Sequence, residues 1–313
     1  MAIGNRDYSA GRFELVIEGE SAGYTKKFSG LNMMGDMVAN DLGPDNIQMK
    51  HLSNIKWAPG KATIGMGMGN SVYQWMKAAF DKEYEMKNGW VDVADFNGYA
   101  QSRIYFNNAH ITSISVPKLD GSSKDAAYFD IEFDAETVRW EKQDGTRRVS
   151  GAVNPKQKSW LCSNFRLELD HRLLPCQRVA SIDAFAWKCA VQSNYIGIQR
   201  EPMKVPAKVT VPELKLSISN ADFEQWSQFA RRWFVEGYHR DEDHFTGRLV
   251  FLEPNMTGEL GEIELSGVGF KQFGQDDGEA NAEKIKRFTV ELYVEKMTLY
   301  VPPKGSSSSQ VGK

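Results

Sequence analysis

The chain is written twice. Phe13, Leu15 and Ile17 return as Phe165, Leu167 and Leu169, 152 positions later. Val72, Trp75 and Ala79 recur as Phe223, Trp226 and Ala230 at an offset of 151. Phe129, Ile131 and Phe133 recur as Phe288, Val290 and Leu292 at 159. Offsets that drift this little across half a chain mark duplication of a domain, not of a short solenoid unit. At 313 residues each copy is long enough to bury a core of its own. The chain is therefore expected to divide into a first domain at 1–145, a linker at 146–163, a second domain at 164–303 and a flexible tail at 304–313, where serines and glycines gather.

Each copy reads in the same order. Alternation of Phe13, Leu15 and Ile17 with Glu14, Val16 and Glu18 predicts a strand, and Gly19–Gly23 a turn into a return strand at 24–31. Residues 35–60, punctuated by Gly35, Gly43-Pro44 and Pro59-Gly60, read as a partly irregular excursion. A strand at 62–68 leads into a helix capped by Asn70 or Ser71, with Val72, Trp75, Met76, Ala79 and Phe80 on one apolar face. Strands near 90–93, 102–106 and 110–116 follow, and a long final strand covers 127–140. The second copy repeats this with strands at 164–169 and 179–187, an excursion through Pro202, Pro206 and Pro212, and a strand at 214–218. Its helix is capped by Asp222, carries Phe223, Trp226, Ala230 and Trp233 on its stripe, and precedes strands near 248–252, 262–271 and 286–301. The fold class expected is mainly β (α+β): two tandem β-sandwich or barrel domains, each flanked by one α-helix.

Composition excludes several classes. With 41% hydrophobic and 25% charged residues, the chain is neither disordered nor built of long apolar runs, and none approaches the ~18 residues of a membrane span. The N-terminal 16 residues show no basic region followed by an apolar stretch, so no secretory leader is expected. Cys162, Cys176 and Cys189 are odd in number and lack CxxC spacing, which predicts reduced thiols. A net charge of −3 argues against a dedicated nucleic-acid binder, which needs a basic excess to neutralise phosphates.

Nothing here reads as catalytic furniture. Gly65, Gly67 and Gly69 invite a phosphate-loop reading, but the third glycine of the dinucleotide fingerprint and any GK[ST] are missing, and residues 216–220 of the other copy have no glycine. His239, Asp241, Glu242, Asp243 and His244 supply suitable donors for a divalent ion without a recognised ligand spacing, and a solvated loop is the expectation. Asp241–Asp243 and Asp276-Asp277 read as charged loop tips in preference to an acid–base pair. Cys176 follows His171 by five residues in what reads as a hairpin, favouring an inert thiol, and no GxSxG elbow exists. No catalytic residue, cofactor or metal is assigned.

The RFELVIEG opening (12–19), FSGL (28–31), YQWMKAAF (73–80) and YFDIEFDAETVRW (128–140) make the first half resemble the tail-tube protein family of contractile phage tails and related injection systems. The second half keeps the skeleton as NFRLELD (164–170), ASID (180–183), FEQWSQFARRWF (223–234) and RFTVELYVEKMTLY (287–300). The resemblance implies a non-enzymatic structural subunit of the inner tail tube, a hollow conduit for DNA or effector delivery, located in the virion tail or injection-particle tube. A tube initiator or baseplate hub is the alternative; a carbohydrate- or small-ligand-binding β-sandwich is one of a different class. The implied partners are copies of itself, as trimeric pseudo-hexameric rings or hexameric stacked rings, with sheath and baseplate proteins outside. Tape-measure protein, DNA or effector would occupy the lumen without sequence-specific binding, and no membrane is involved. The excursions would make contacts between subunits or rings, and Lys77, Lys82, Arg231 and Arg232 would form a partner-facing helix surface.

Overall fold

Period-two alternation dominates both halves, and the chain folds as antiparallel strands with two helices. A computed structural model describes residues 11–40, 48–151, 160–199, 201–275 and 285–301. The first half holds β1 (Arg12–Ile17), β2 (Glu20–Thr25), β3 (Lys27–Ser29), β4 (Met33–Asn40), β5 (Met49–Trp57) and β6 (Gly60–Ile64), then α1 (Asn70–Phe80). It continues with β7 (Lys87–Ala94), β8 (Ala100–Val116), β9 (Leu119–Asp120), β10 (Phe129–Asp134) and β11 (Thr137–Lys142). The second half holds β12 (Phe165–Leu169), β13 (Val179–Ile182), β14 (Phe185–Asn194), β15 (Met203–Thr210) and β16 (Leu214–Ser219), then α2 (Phe223–Phe234). It ends with β17 (Phe245–Leu252), β18 (Glu259–Gln275) and β19 (Arg287–Tyr300). The protein is mainly β, with curled sheets and one α-helix in each half.

The duplication is visible in strand order. The first half runs β1-β7-β8-β10-β6-β3 and the second β12-β17-β18-β19-β16-β13. Register repeats as well: Ile131 faces Ile114 as Val290 faces Phe273. Both ladders then slip at the same place, leaving Thr112 and Lys271 as the extra residues of two equivalent bulges.

Three expectations change. The excursions are β-hairpins, β4–β5 and β14–β15; Gly35 and Pro206 flank their bulges, Pro59-Gly60, Pro202 and Pro212 stand at their ends, and Gly43-Pro44 lies outside the described residues. The 127–140 strand is two strands that turn a corner at Ala135-Glu136, because β10 and β11 pair with different stretches of β8. The 179–187 strand is likewise two, since the chain leaves β16 after Ile182 and crosses to pair with β8 from Phe185 onward. The first helix's cap is Gly69, one residue before Asn70, and the second helix's cap is Asp222 as expected, both without side-chain cap bonds. Instead the Arg178 guanidinium donates to Asp222 at 3.0 Å. The 171–176 run, read as a hairpin, forms a turn at 172–173 without strands.

One apolar core runs through both halves. α1 buries Val72, Trp75, Met76 and Phe80, and α2 buries Trp226, Phe229, Ala230 and Trp233. Trp160 joins the halves: its ring lies 5.1 Å from Phe129 and 4.6 Å from Phe251. Within 146–163, Val149 packs on Ala94 and Ala100, while residues 152–159 lie outside the described residues, as do those of the 304–313 tail and the Asp276-Asp277 pair.

Candidate assembly surfaces

The two hairpins are built alike and used differently. Met34 faces Lys56 and Gly35 faces Ile55; Lys188 faces Thr210 and Cys189 faces Val209, each residue 154 positions after its counterpart. Both hairpins slip at the next position and resume with Met37 opposite Leu52 and Val191 opposite Pro206, again at 154. β14 adds itself to the first half's sheet. Phe185, Ala186, Trp187 and Lys188 pair antiparallel with Val116, Ser115, Ile114 and Ser113 of β8. Trp187 is 2% exposed and its ring lies 5.5 Å from that of Phe80 at the end of α1. The Lys204 backbone N–H donates to Glu136 Oε1 at 2.8 Å, and its buried ammonium pairs with Asp134. Beside them stands His110, whose pKa burial pushes down while Glu136 pulls it up. Nearby, β9 pairs with β13, so backbone ladders join the halves at two places.

β4–β5 pairs only with itself among the described residues. Met33, Met34, Met37, Val38, Met49 and Leu52 are all exposed on it. So many exposed large apolar side chains on one hairpin mark a place where another molecule sits. Gly30, with φ +97° and the Pro59 carbonyl where a side chain would be, turns the chain into this hairpin and admits no other residue without rearrangement.

A further contact between the halves is made by the helix surface expected to face outward. Lys77 pairs with Asp81 at 2.5 Å, its ammonium lies 5.3 Å from the Tyr300 ring of β19, and Asp81 accepts from Thr298 at 3.1 Å. Lys77 is thus engaged within the chain. Lys82 is exposed just past the helix with φ +62°. Arg231 lies 3.7 Å from Glu236, and Arg232 sits over Tyr238 at 5.0 Å, both at the exposed end of α2.

The remaining candidates lose their chemistry to local packing. Gly69 N–H donates to the Ala22 carbonyl at 2.7 Å, and a Cβ there would meet Ser21 O at 2.9 Å, so the glycine serves close approach to β2. The Tyr73 hydroxyl bridges the same loop, accepting from Met68 N and donating to Gly65 O. His239 and His244 flank Trp233: His239 Nδ1 is 2.9 Å from the Trp233 carbonyl, and His244 Nε2 is 2.7 Å from the Tyr293 hydroxyl. Among the described residues no group of three or more acidic, His or Cys side chains is placed to hold a metal. Cys162 and Cys189 are buried, and burial pushes the Cys176 thiol up to about 12. One surface groove, over β12, β17 and β18, is lined by Glu168, Asp170, Arg248, Glu262 and Glu264, charged where a sugar site would be aromatic. A buried ion cluster on the first sheet, in which Arg103 donates to Asp92 at 2.6 and 3.0 Å and Arg147 at 3.0 Å, ties the 147–151 segment to β7.

Several solved structures are similar to about half of the chain. A chain of the anti-feeding prophage cap (AFP tube terminating cap) is 21% identical and aligns over 46% of this chain and 100% of its own, with a TM-score of 0.40. A chain of the PVC sheath–tube complex of an extracellular contractile injection system, in the extended state, is 19% identical over 45% of this chain and 95% of its own, at 0.40. A chain of the PVC sheath/tube terminator is 18% identical over 44% and 99%, at 0.39. No curated protein matches. Residues 9–139 match the family described as T4-like virus tail tube protein gp19.

Proposed function

We propose that the chain is a structural subunit of the inner tube of a phage or phage-like contractile injection machine, made of two fused tube domains and without catalytic activity. The observation that carries this reading is β14. The β14–β15 hairpin of the second half extends the edge of the first half's sheet, and β9 of the first half pairs with β13 of the second, so the two halves share strands edge to edge as neighbouring subunits of a ring would. Three chains then make a six-domain ring, in preference to six chains spanning two stacked layers. Stacked rings form the conduit, sheath and baseplate proteins surround it, and DNA or effector passes through without sequence-specific binding. The exposed ends of the helices, with Lys82, Arg231 and Arg232, are assigned to the outer partners.

Negative-stain electron microscopy of the purified chain at high concentration tests this. Rings or stacked tubes are expected, and rings that never stack would select the initiator or hub in place of the tube. Small monomeric particles at all concentrations would contradict the self-assembling reading.

A further inference from the structure

The intrachain docking supplies a template for the contact between chains. The segment of β18 equivalent to Ser113–Val116 is Gln272–Gln275, fixed by the matching bulges and by the facing pairs Ile131–Ile114 and Val290–Phe273. Ser113, Ile114 and Val116, which pair with β14, are buried. At Gln272–Gln275 the outer edge has no strand partner among the described residues, Gln272 and Gln275 are exposed, and open space surrounds the missing Cβ of Gly274. The counterpart of Trp187 is Met33, 63% exposed. The counterpart of Phe80, which Trp187 covers, is Phe234: each is the last residue of its helix, 154 positions apart, and Phe234 is 48% exposed. Lys204 repeats as Lys50, exposed, and its acceptor Glu136 as Glu295.

We infer that β4 of one chain pairs antiparallel with Gln272–Gln275 of a second copy, Asn32 opposite Gly274, Met33 opposite Phe273 and Met34 opposite Gln272. Met33 then covers Phe234, and the Lys50 backbone N–H donates to Glu295. The homology stops at Asn32, because Leu31 takes a left-handed φ of +55° where Phe185 does not. An unpaired edge and an unpaired apolar hairpin on the same molecule, related as the intrachain pair is, make a head-to-tail contact that repeats until the ring closes. This inference takes the identity of the partner, another copy of this chain, from the proposed function; the register comes from the structure itself.

The test is a cysteine pair in the full chain, Met34→Cys with Gln272→Cys, oxidised at high concentration. Cα atoms of directly opposed antiparallel residues lie ~4.5–5.5 Å apart, within disulfide reach. The expected result is a ladder of covalent oligomers on non-reducing gels. It should vanish when Gln275→Cys replaces Gln272→Cys, because that residue is three positions away and on the opposite face. In parallel, Met33→Asp should abolish assembly while the monomer's thermal melt stays unchanged. Particles that assemble without the Met34–Gln272 disulfide would overturn the inference and leave the tube reading standing. Neither assembly nor disulfide would overturn both.

Discussion

Replacing Trp187 by Ala probes whether the second half's hairpin holds the chain together or merely rests on it. The indole is 2% exposed and lies 5.5 Å from the Phe80 ring, tilted at 46°, on a strand paired antiparallel with β8. Truncating a buried aromatic of this kind costs ~3–5 kcal/mol, the transfer of the ring plus the cavity left behind. A domain's whole stability is ~5–15 kcal/mol, so the loss is a large fraction. At ~2–4 °C per kcal/mol for chains of 150–250 residues, the melting temperature should fall by at least ~6 °C. The same substitution at the equivalent position, Met33→Ala, removes a side chain that is 63% exposed and should change monomer stability by no more than ~0.5 kcal/mol. Urea titrations of both variants, followed by tryptophan fluorescence and by circular dichroism, measure the contrast. If Trp187→Ala unfolds within ~0.5 kcal/mol of the parent, the hairpin is not docked on β8 in solution and the side-by-side arrangement of the halves fails with it.

Arg103→Met should cost up to ~3–5 kcal/mol, because it leaves the fully buried Asp92 carboxylate short of its main partner; Arg147 at 3.0 Å keeps the loss toward the lower end, and unchanged chemical denaturation would contradict this. Acid should destabilise the chain partly through His110. Burial first, against the pull of Glu136, holds its pKa below the ordinary value of 6.5. Only the unfolded chain then takes up the proton as pH falls below 6.5, so stability is full above that value and declines toward the folded pKa. His110→Gln should therefore flatten the drop in urea midpoint between about pH 7.5 and 5.5; an identical drop in both proteins would refute the assignment. His171, also depressed by burial and by Arg232, sustains the remaining slope. Finally, the native protein should show no fast-reacting thiol at neutral pH, since Cys162 and Cys189 are buried and Cys176 sits near 12; rapid labelling of Cys176 with a maleimide would count against its buried setting.

Much of the fold was legible because strands and helices print their period into the sequence. Phe129, Ile131 and Phe133 match Phe288, Val290 and Leu292 in register, as the shared ladders require. The helices show the limit of the method. Trp75 and Trp226 match at 151, whereas the strands before them and the final residues Phe80 and Phe234 match at 154. Three residues is close to one helical turn, so either alignment keeps the same apolar face. The hairpins were hidden because glycine and proline at their edges mimic irregular chain, and their exposed methionines alternate with nothing that marks a core. The docking of β14 on β8 was invisible for a deeper reason: edge pairing is made by backbone groups that every residue carries. Trp187, Lys204 and Glu136 give it side-chain character, and their partners lie 68 to 107 positions away. The same reason concealed the free edge at Gln272–Gln275.

The most direct test of the central claim is the number of chains in one layer, read by cryo-electron microscopy of assembled particles viewed end-on. Two fused domains standing side by side predict a ring of six lobes built from three chains, alternating in shape, with β14 continuing the sheet of β8 inside each chain and β4 continuing β18 between chains. Six chains per layer, with the two halves of each chain stacked along the axis, would contradict the account.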